Sequence, residues 1–157
     1  MVIQLSDYIL DLRKYVGHRL LMQVGVSVII VDEHDRVLLQ QRTDNHTWGY
    51  AGGSAEPDED VESGARREML EETGLVANRL KLFGIYSGQD THYIYPNGDE
   101  VSTVDLVYEC RDYSGEIKCQ PGEVDRLEYF VPEDFPPDIH PPHRRPLLDW
   151  VAQNSVR

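Results

Sequence analysis

A chain of 157 residues is long enough for one domain with a proper core and too short for two ordinary ones. Apolar residues at 40% and charged residues at 27% exclude a disordered chain, and no run of about 18 apolar residues is present to span a bilayer. The formal net charge of -13 argues against general affinity for nucleic-acid backbones, so an acidic site in this chain handles phosphate only with the help of a cation.

The opening segment, MVIQLSDYILDLRK, lacks the basic start and long apolar stretch of a secretory signal, and a cytoplasmic location is expected. Over residues 6–16, Tyr8, Ile9, Leu12, Tyr15 and Val16 recur at helical spacing, with Ser6 as N-cap and Gly17 as stop. This short amphipathic helix covers one side of the core or meets a second copy of the chain, and a homodimer is left open. Residues 20–31, LLMQVGVSVIIV, are apolar on both faces and predict a buried central strand. A polar turn at residues 32–35 leads to a second strand, RVLLQQR. Residues 43–51, TDNHTWGYA, are loop in character. Within them Trp48 and Tyr50 are candidates to stack on a ring of a ligand, or else packing anchors beside the turn.

Beyond residue 75, strands are predicted over 79–87 and 101–108, and the Asn97-Gly98 pair predicts a hairpin turn. Further short strands are expected over 116–118 and 127–131, an irregular proline-rich segment over 132–142, and a terminal helix over 144–152. Cys110 and Cys119 have no CxxC spacing and no clustered histidines, and read as free thiols. Strands interspersed with a few helices, around an early strand buried on both faces, give an α/β chain with helices on each side of a mixed sheet.

The most informative stretch is residues 52–75, GGSAEPDEDVESGARREMLEETGL. Asp58 or Asp60 caps a helix that runs to about Thr73, where Gly74 supplies the left-handed residue that ends it. At about 100° per residue, Glu68 and Glu72 lie within about 40° of each other and Glu71 about 60° to the other side, so three carboxylates share a face. Like charges at this spacing cost about 0.2–0.5 kcal/mol per pair when exposed and more as water is excluded. A divalent cation removes that penalty. Val61, Ala65 and Met69 form the adjoining apolar stripe, Arg67 is placed to fix a carboxylate, and Gly64, one turn before Glu68, marks a close approach by a loop, an ion or a phosphate.

Read as spacing, Gly53, Glu59, Arg67-Glu68, Met69, Glu71-Glu72, Gly74 and Leu75 fill every fixed position of the pattern G-x5-E-x7-R-E-U-x-E-E-x-G-U, where U is a bulky apolar residue. The stretch thus resembles the signature box of the Nudix hydrolases, of the MutT-like kind. The general pattern extends from Val24 to about Val131, and Ala51 stands where proline usually precedes the two glycines. The resemblance implies one Nudix-like domain over residues 1–157, an α/β/α sandwich around a mixed β-sheet, with the box loop and helix at 53–75. It implies metal binding by Glu68, Glu71 and Glu72 with Glu59 auxiliary, Arg67 as the orienting residue, and Mg2+ as cofactor with Mn2+ as substitute.

The implied reaction is hydrolysis of a nucleoside diphosphate derivative by an activated water. The base is a glutamate of the box, Glu68 or Glu71, or one on a later loop, where Glu123 leads and Glu116 follows. Substrate-binding candidates are Gly52, Gly53, Arg42, Trp48, Tyr50 and Tyr93. The partner is a small-molecule nucleotide, with neither nucleic acid nor membrane expected. Residues 89–91 lack the proline of ADP-ribose-cleaving relatives, Tyr93 sits at about the distance of a tyrosine in dinucleoside-polyphosphate-cleaving ones, and the QPGE loop is similar to that of relatives clearing oxidised nucleoside triphosphates. A nucleotide-binding module without turnover is the competing reading, and an isoprenoid-diphosphate isomerase a remoter third.

Overall fold

The strand expected to be buried on both faces is the one around which the layers are built. In the computed structural model, which describes residues 8–155, this strand is β1 (Leu21–Ile30). It follows α1 (Tyr8–Val16) and precedes β2 (Val37–Arg42), β3 (Trp48–Gly49), β4 (Ala51–Ser54) and α2 (Val61–Thr73). The remainder comprises β5 (Leu75–Tyr86), β6 (His92–Ile94), β7 (Glu100–Gly115), β8 (Val124–Phe130) and α3 (Pro141–Asn154), with 3-10 turns at Gln89–Thr91 and Pro132–Asp134.

The larger sheet has the order β4-β1-β7-β5, with β6 added beside β7. β1 pairs β7 in parallel, Leu21 opposite Val101 through Ile30 opposite Cys110, while β4 and β5 run antiparallel to their neighbours, so the sheet is mixed as expected. The sequence did not announce a second, antiparallel sheet of order β3-β2-β8. Side chains of successive strand residues point to opposite faces, and β1 distributes its residues accordingly. Val26, Val28 and Ile30 join Ala65 and Met69 of α2 in one core, and Ile29 joins Leu147 and Trp150 of α3 in the other. The two cores on either side of β1 constitute the α/β/α sandwich.

The box helix forms as its residues dictate. Asp60 is the N-cap and accepts from the Ser63 backbone N–H at 2.9 Å, and Gly74 closes the helix at φ 77°. Gly64 is buried because a side-chain carbon there would lie 2.6 Å from Glu59 Oε1 and 3.2 Å from Val26 Cγ2, so the close approach is made by the box loop and the sheet. The Asn97-Gly98 turn joins β6 to β7, with Gly98 N–H donating to Tyr95 O at 2.8 Å.

Elsewhere the boundaries differ from expectation. Residues 43–51 contain β3 and the first residue of β4, because Trp48 and Gly49 pair with Gln41 and Gln40 of β2. β5 begins at Leu75, directly after the helix, and β7 continues to Gly115 because the two pair along their length. Residues 116–118 form no strand, since Lys118 N–H donates instead to Thr73 O at the end of α2. The terminal helix starts at Pro141, where two prolines fit a first turn that lacks N–H partners anyway. α1 ends at Gly17 as expected, and Ser6 lies outside the described residues. Among the described residues no helix is long and apolar enough to cross a membrane. Cys110 is buried and Cys119 half-buried, both as free thiols.

Met69 is fully buried where α2 meets β1. Met69→Ala is expected to lower unfolding free energy by about 2–5 kcal/mol, measured by urea denaturation with far-ultraviolet circular dichroism confirming retention of the fold.

Candidate active site

Arg67 organises the acidic face of α2. Its Nε and Nη2 donate to the two oxygens of Glu59 at 2.7 and 3.0 Å, its Nη1 donates to Glu68 at 2.8 Å and Glu71 at 3.3 Å, and its Nη2 also reaches the Ser54 carbonyl at 3.2 Å. The paired N–H donors of a guanidinium match a carboxylate in this way, so Arg67 ties the box loop and β4 to the helix. Both Glu59 oxygens are bonded to Arg67, and Glu59 does not line the cavity in front of the helix. Glu59, expected as an auxiliary metal acid, is thus engaged with Arg67 in this structure.

Glu72 is buried. Its Oε1 accepts the Gly52 backbone N–H at 2.9 Å, and its Oε2 accepts from Gln40 Nε2 on β2. Burial, and then the neighbouring charge of Glu68, push its pKa up to about 8. Glu68 is raised as well, by burial above all and in part by Glu71, against the opposing pull of Arg67. The Glu68 carboxylate sits against Gly53, where any side-chain carbon would overlap its oxygens. A side chain at Gly53 would therefore displace the Glu68 carboxylate from its place in the site.

Gln40, Arg42, Gly52, Gly53, Glu68, Glu71, Glu72 and Glu123 all line one cavity of about 330 Å3. Sequence spacing alone links only the box residues among them. Arg42 arrives from the end of β2, with its guanidinium held by Asp44 at 2.9 and 2.7 Å and stacked 5.6 Å from the Tyr95 ring. Glu123 comes from the exposed 120–123 loop, anchored by its carbonyl accepting the Thr43 N–H at 3.2 Å. Glu116 lies by contrast at the far end of α2, its carbonyl against Gly74.

An inner compartment branches from Gly52 and Gly53 and is lined by Ser27, Tyr50, Tyr93, Asp105, His140 and His143, among others. Tyr93 accepts from Asn45 Nδ2 at 2.8 Å and meets the Tyr95 and His140 rings edge-on. Tyr50 stacks on His143 at 3.8 Å and is 1% exposed, while Trp48 is buried against Phe130 and Arg126 and lines no part of either compartment. Of the two expectations for these aromatics, stacking on a ligand or packing beside the turn, the contacts of Trp48 with Phe130 and Arg126 and of Tyr50 with His143 are packing contacts. Burial brings the His140 pKa down to about 3 and holds His143 lower than usual too, so both rings are neutral.

The sequence reading passed over Gln40, Tyr95, His140 and the buried pair Ser27 and Asp105, whose side chains bond at 2.8 Å. The signal for that pair was present, as a lone serine inside the apolar run VGVSVIIV and an acid inside the strand-forming run VSTVDLVY.

The donors suit a hard divalent cation. Among the described residues no group of three His, Cys, Asp or Glu side chains is gathered tightly enough to hold a metal unaided. Small divalent cations commonly take only one or two carboxylates and complete their shell with water and substrate oxygens. Here Glu68 and Glu71 offer carboxylate oxygens to the cavity, Glu72 is crowded behind them, and the buried Gln40 Oε1 has no hydrogen-bond partner. A cation offsets the repulsion that raises Glu68 and Glu72.

Burial raises the Asp105 pKa to about 6, against the opposing bonds from Ser27 and Tyr50. A folded-state value above the ordinary 3.8 means that the folded chain binds this proton more tightly. The corresponding stability is present in full below the ordinary value and is lost as pH rises through about 6. Asp105→Asn is expected to remove this fall, seen as a flatter stability profile between about pH 4 and 7 in chemical denaturation at stepped pH.

Comparison with known proteins agrees with this architecture. The NUDIX domain model matches residues 21–151. A MutT-like protein of Streptomyces ambofaciens is 32% identical over 114 residues, 73% of this chain and 67% of that protein. The ADP-ribose pyrophosphatase of Methanocaldococcus jannaschii is 32% identical over 130 residues, 80% of this chain and 71% of that one. The crystal structure of a MutT NUDIX hydrolase from Burkholderia pseudomallei aligns with a TM-score of 0.69 at 28% identity, covering 82% of this chain and 97% of that chain. With its full box on α2 and its family match spanning both cores, the chain belongs to the Nudix hydrolase family.

Proposed function

We propose that this chain is a Mg2+-dependent pyrophosphohydrolase that cleaves the diphosphate linkage of a nucleoside diphosphate derivative by attack of an activated water, with Mn2+ as a working substitute. The observation that carries this reading is the pair Glu68 and Glu72, crowded against the Gly52-Gly53 backbone and opening on the cavity that Arg42 and Glu123 also line. The names of the relatives, a MutT-like protein and an ADP-ribose pyrophosphatase, support the substrate class.

The cation, when bound, neutralises charge developing on the diphosphate and makes the attacking water more acidic. Glu68 and Glu71 hold it from α2, and Glu72 with Gln40 completes the acidic floor. Arg67 acts through these acids, fixing their oxygens, and is itself fixed by Glu59. Glu123 takes the water's proton from the 120–123 loop. Arg42 meets a substrate phosphate at the end of β2, and the inner compartment beside Tyr93 receives the nucleoside.

Glu68→Gln and Glu72→Gln are each expected to lower kcat by about 10²–10⁴-fold at saturating Mg2+. Phosphate release from nucleoside triphosphates, nucleotide sugars and dinucleoside polyphosphates, after coupling to a phosphatase, provides the measurement. Isotopically labelled water then identifies the phosphorus attacked. Wild-type rates in Glu72→Gln would overturn the mechanism, and tight nucleotide binding with no turnover by the wild-type chain would establish a binding module instead.

A further inference from the structure

The family match begins at residue 21, so α1 is an addition to the matched domain. None of its described residues is buried, yet the helix is firmly held. Arg13 donates through Nη1 to the carbonyls of Gly17, at 3.0 Å, and Arg19, and through Nη2 to the Glu100 carbonyl at 2.7 Å. Its Nε, buried and without a hydrogen bond, faces Asp99 at 3.7 Å. His18, just past the helix, bonds the same Asp99 at 2.7 Å. These contacts fasten α1 to the hairpin that joins β6 and β7, and they fix which side of the helix faces the acidic site.

What that side faces is an outer cavity of about 720 Å3. Tyr8, Ile9 and Leu10 line it together with Glu68, Glu71 and Glu123. Gln23, Ser54, Tyr95 and Val101 line both this cavity and the inner compartment, so the two lie side by side. A diphosphate held at Glu68 therefore has room for a substituent on each side. Among the described residues, the cations lining the outer cavity are Arg13 and Arg67, and both are engaged, one with carbonyls and Asp99, the other with Glu59, Glu68 and Glu71. Beyond the cation proposed at Glu68 and Glu71, a terminal phosphate entering here meets four further carboxylates, Asp44, Glu56, Asp99 and Glu123, and no disengaged side-chain cation, whereas an uncharged ring meets a phenol and two aliphatic side chains.

We infer that α1 is a specificity element, whose Tyr8, Ile9 and Leu10 receive an uncharged, ring-bearing group on the far side of the diphosphate, such as a second nucleoside, in preference to a bare terminal phosphate. This inference rests on the proposed placement of the diphosphate at Glu68. Tyr8 and Ile9 reach the ring without touching the reacting phosphorus, so they act on binding of the far group.

The test compares a dinucleoside diphosphate with the matching nucleoside triphosphate, for the wild-type chain, Tyr8→Ala and Ile9→Ala, with Mg2+ present. Circular dichroism confirms that each variant is folded. The wild-type chain is expected to favour the dinucleotide in kcat/KM, and each variant to lower the dinucleotide-to-triphosphate ratio about tenfold, through KM rather than kcat. A wild-type preference for the triphosphate, an unchanged ratio in both variants, or a fall carried by kcat overturns the inference. If the wild-type chain cleaves neither compound and no nucleotide sugar, the hydrolase reading fails separately. Calorimetry of the dinucleotide then decides the role of α1: about tenfold weaker binding by Tyr8→Ala supports it, and equal binding or no binding by the wild-type chain overturns it.

Discussion

One guanidinium gathers the parts of the acidic site. Arg67 bonds Glu59 from the loop, Glu68 and Glu71 from the helix, and the Ser54 carbonyl from β4, so three successive segments of the box meet at a single planar group. Carboxylates brought this close repel one another unless a positive group stands among them. Arg67 supplies that charge permanently, on the side away from Glu72. Glu72 is left to a different kind of support, a backbone N–H and an amide, which pull down on its pKa less strongly than burial and Glu68 push it up. The site thus has one half neutralised by a guanidinium and one half where burial and a neighbouring acid favour the protonated carboxyl until a cation binds, and the second half adjoins the glycines at the cavity wall.

The sheet explains why such a strained arrangement of acids is tolerated. β1 serves two cores at once, with alternate residues packed toward α2 and toward α3, and the same strand pairs β4, which carries the two glycines. α2 is therefore fixed through Ala65 and Met69, an apolar stripe that adjoins its acids. Apolar burial on one face holds the helix in position against the electrostatic cost on the other.

The box was legible because its determinants are local. The N-cap at Asp60, the stop at Gly74, the apolar stripe and the shared face of Glu68, Glu71 and Glu72 all follow from a helical period over a few turns. The β-branched runs likewise revealed β1, β2 and β7 as strands, and the Asn97-Gly98 pair revealed the turn before β7. Residues that enter the site from far along the chain were harder to read. Gln40 joins Glu72 through the packing of β2, and His140 reaches the inner compartment through the docking of α3. Trp48 and Tyr50 illustrate the ambiguity of aromatics near a turn, since their type suits stacking on a ligand as well as packing edge-on against Phe130 or face-on against His143. Residues 116–118 have strand character, but a competing bond to the end of α2 claims their backbone.

The open edge of the larger sheet carries a different consequence. β5 ends the order β4-β1-β7-β5, and its edge away from β7, which no described strand pairs, is an opportunity for another chain to add a strand. Its register against β7 slips at Ala77/Arg79, Arg79/Lys81 and Leu82/Gly84, and two of these irregularities flank basic side chains. A strand broken this often offers no long, flat ladder to a visitor, and the charges of Arg79 and Lys81 repel a second copy laid alongside. The irregular pairing of β5 is therefore a safeguard against aggregation, written into the strand that follows immediately after the acidic helix.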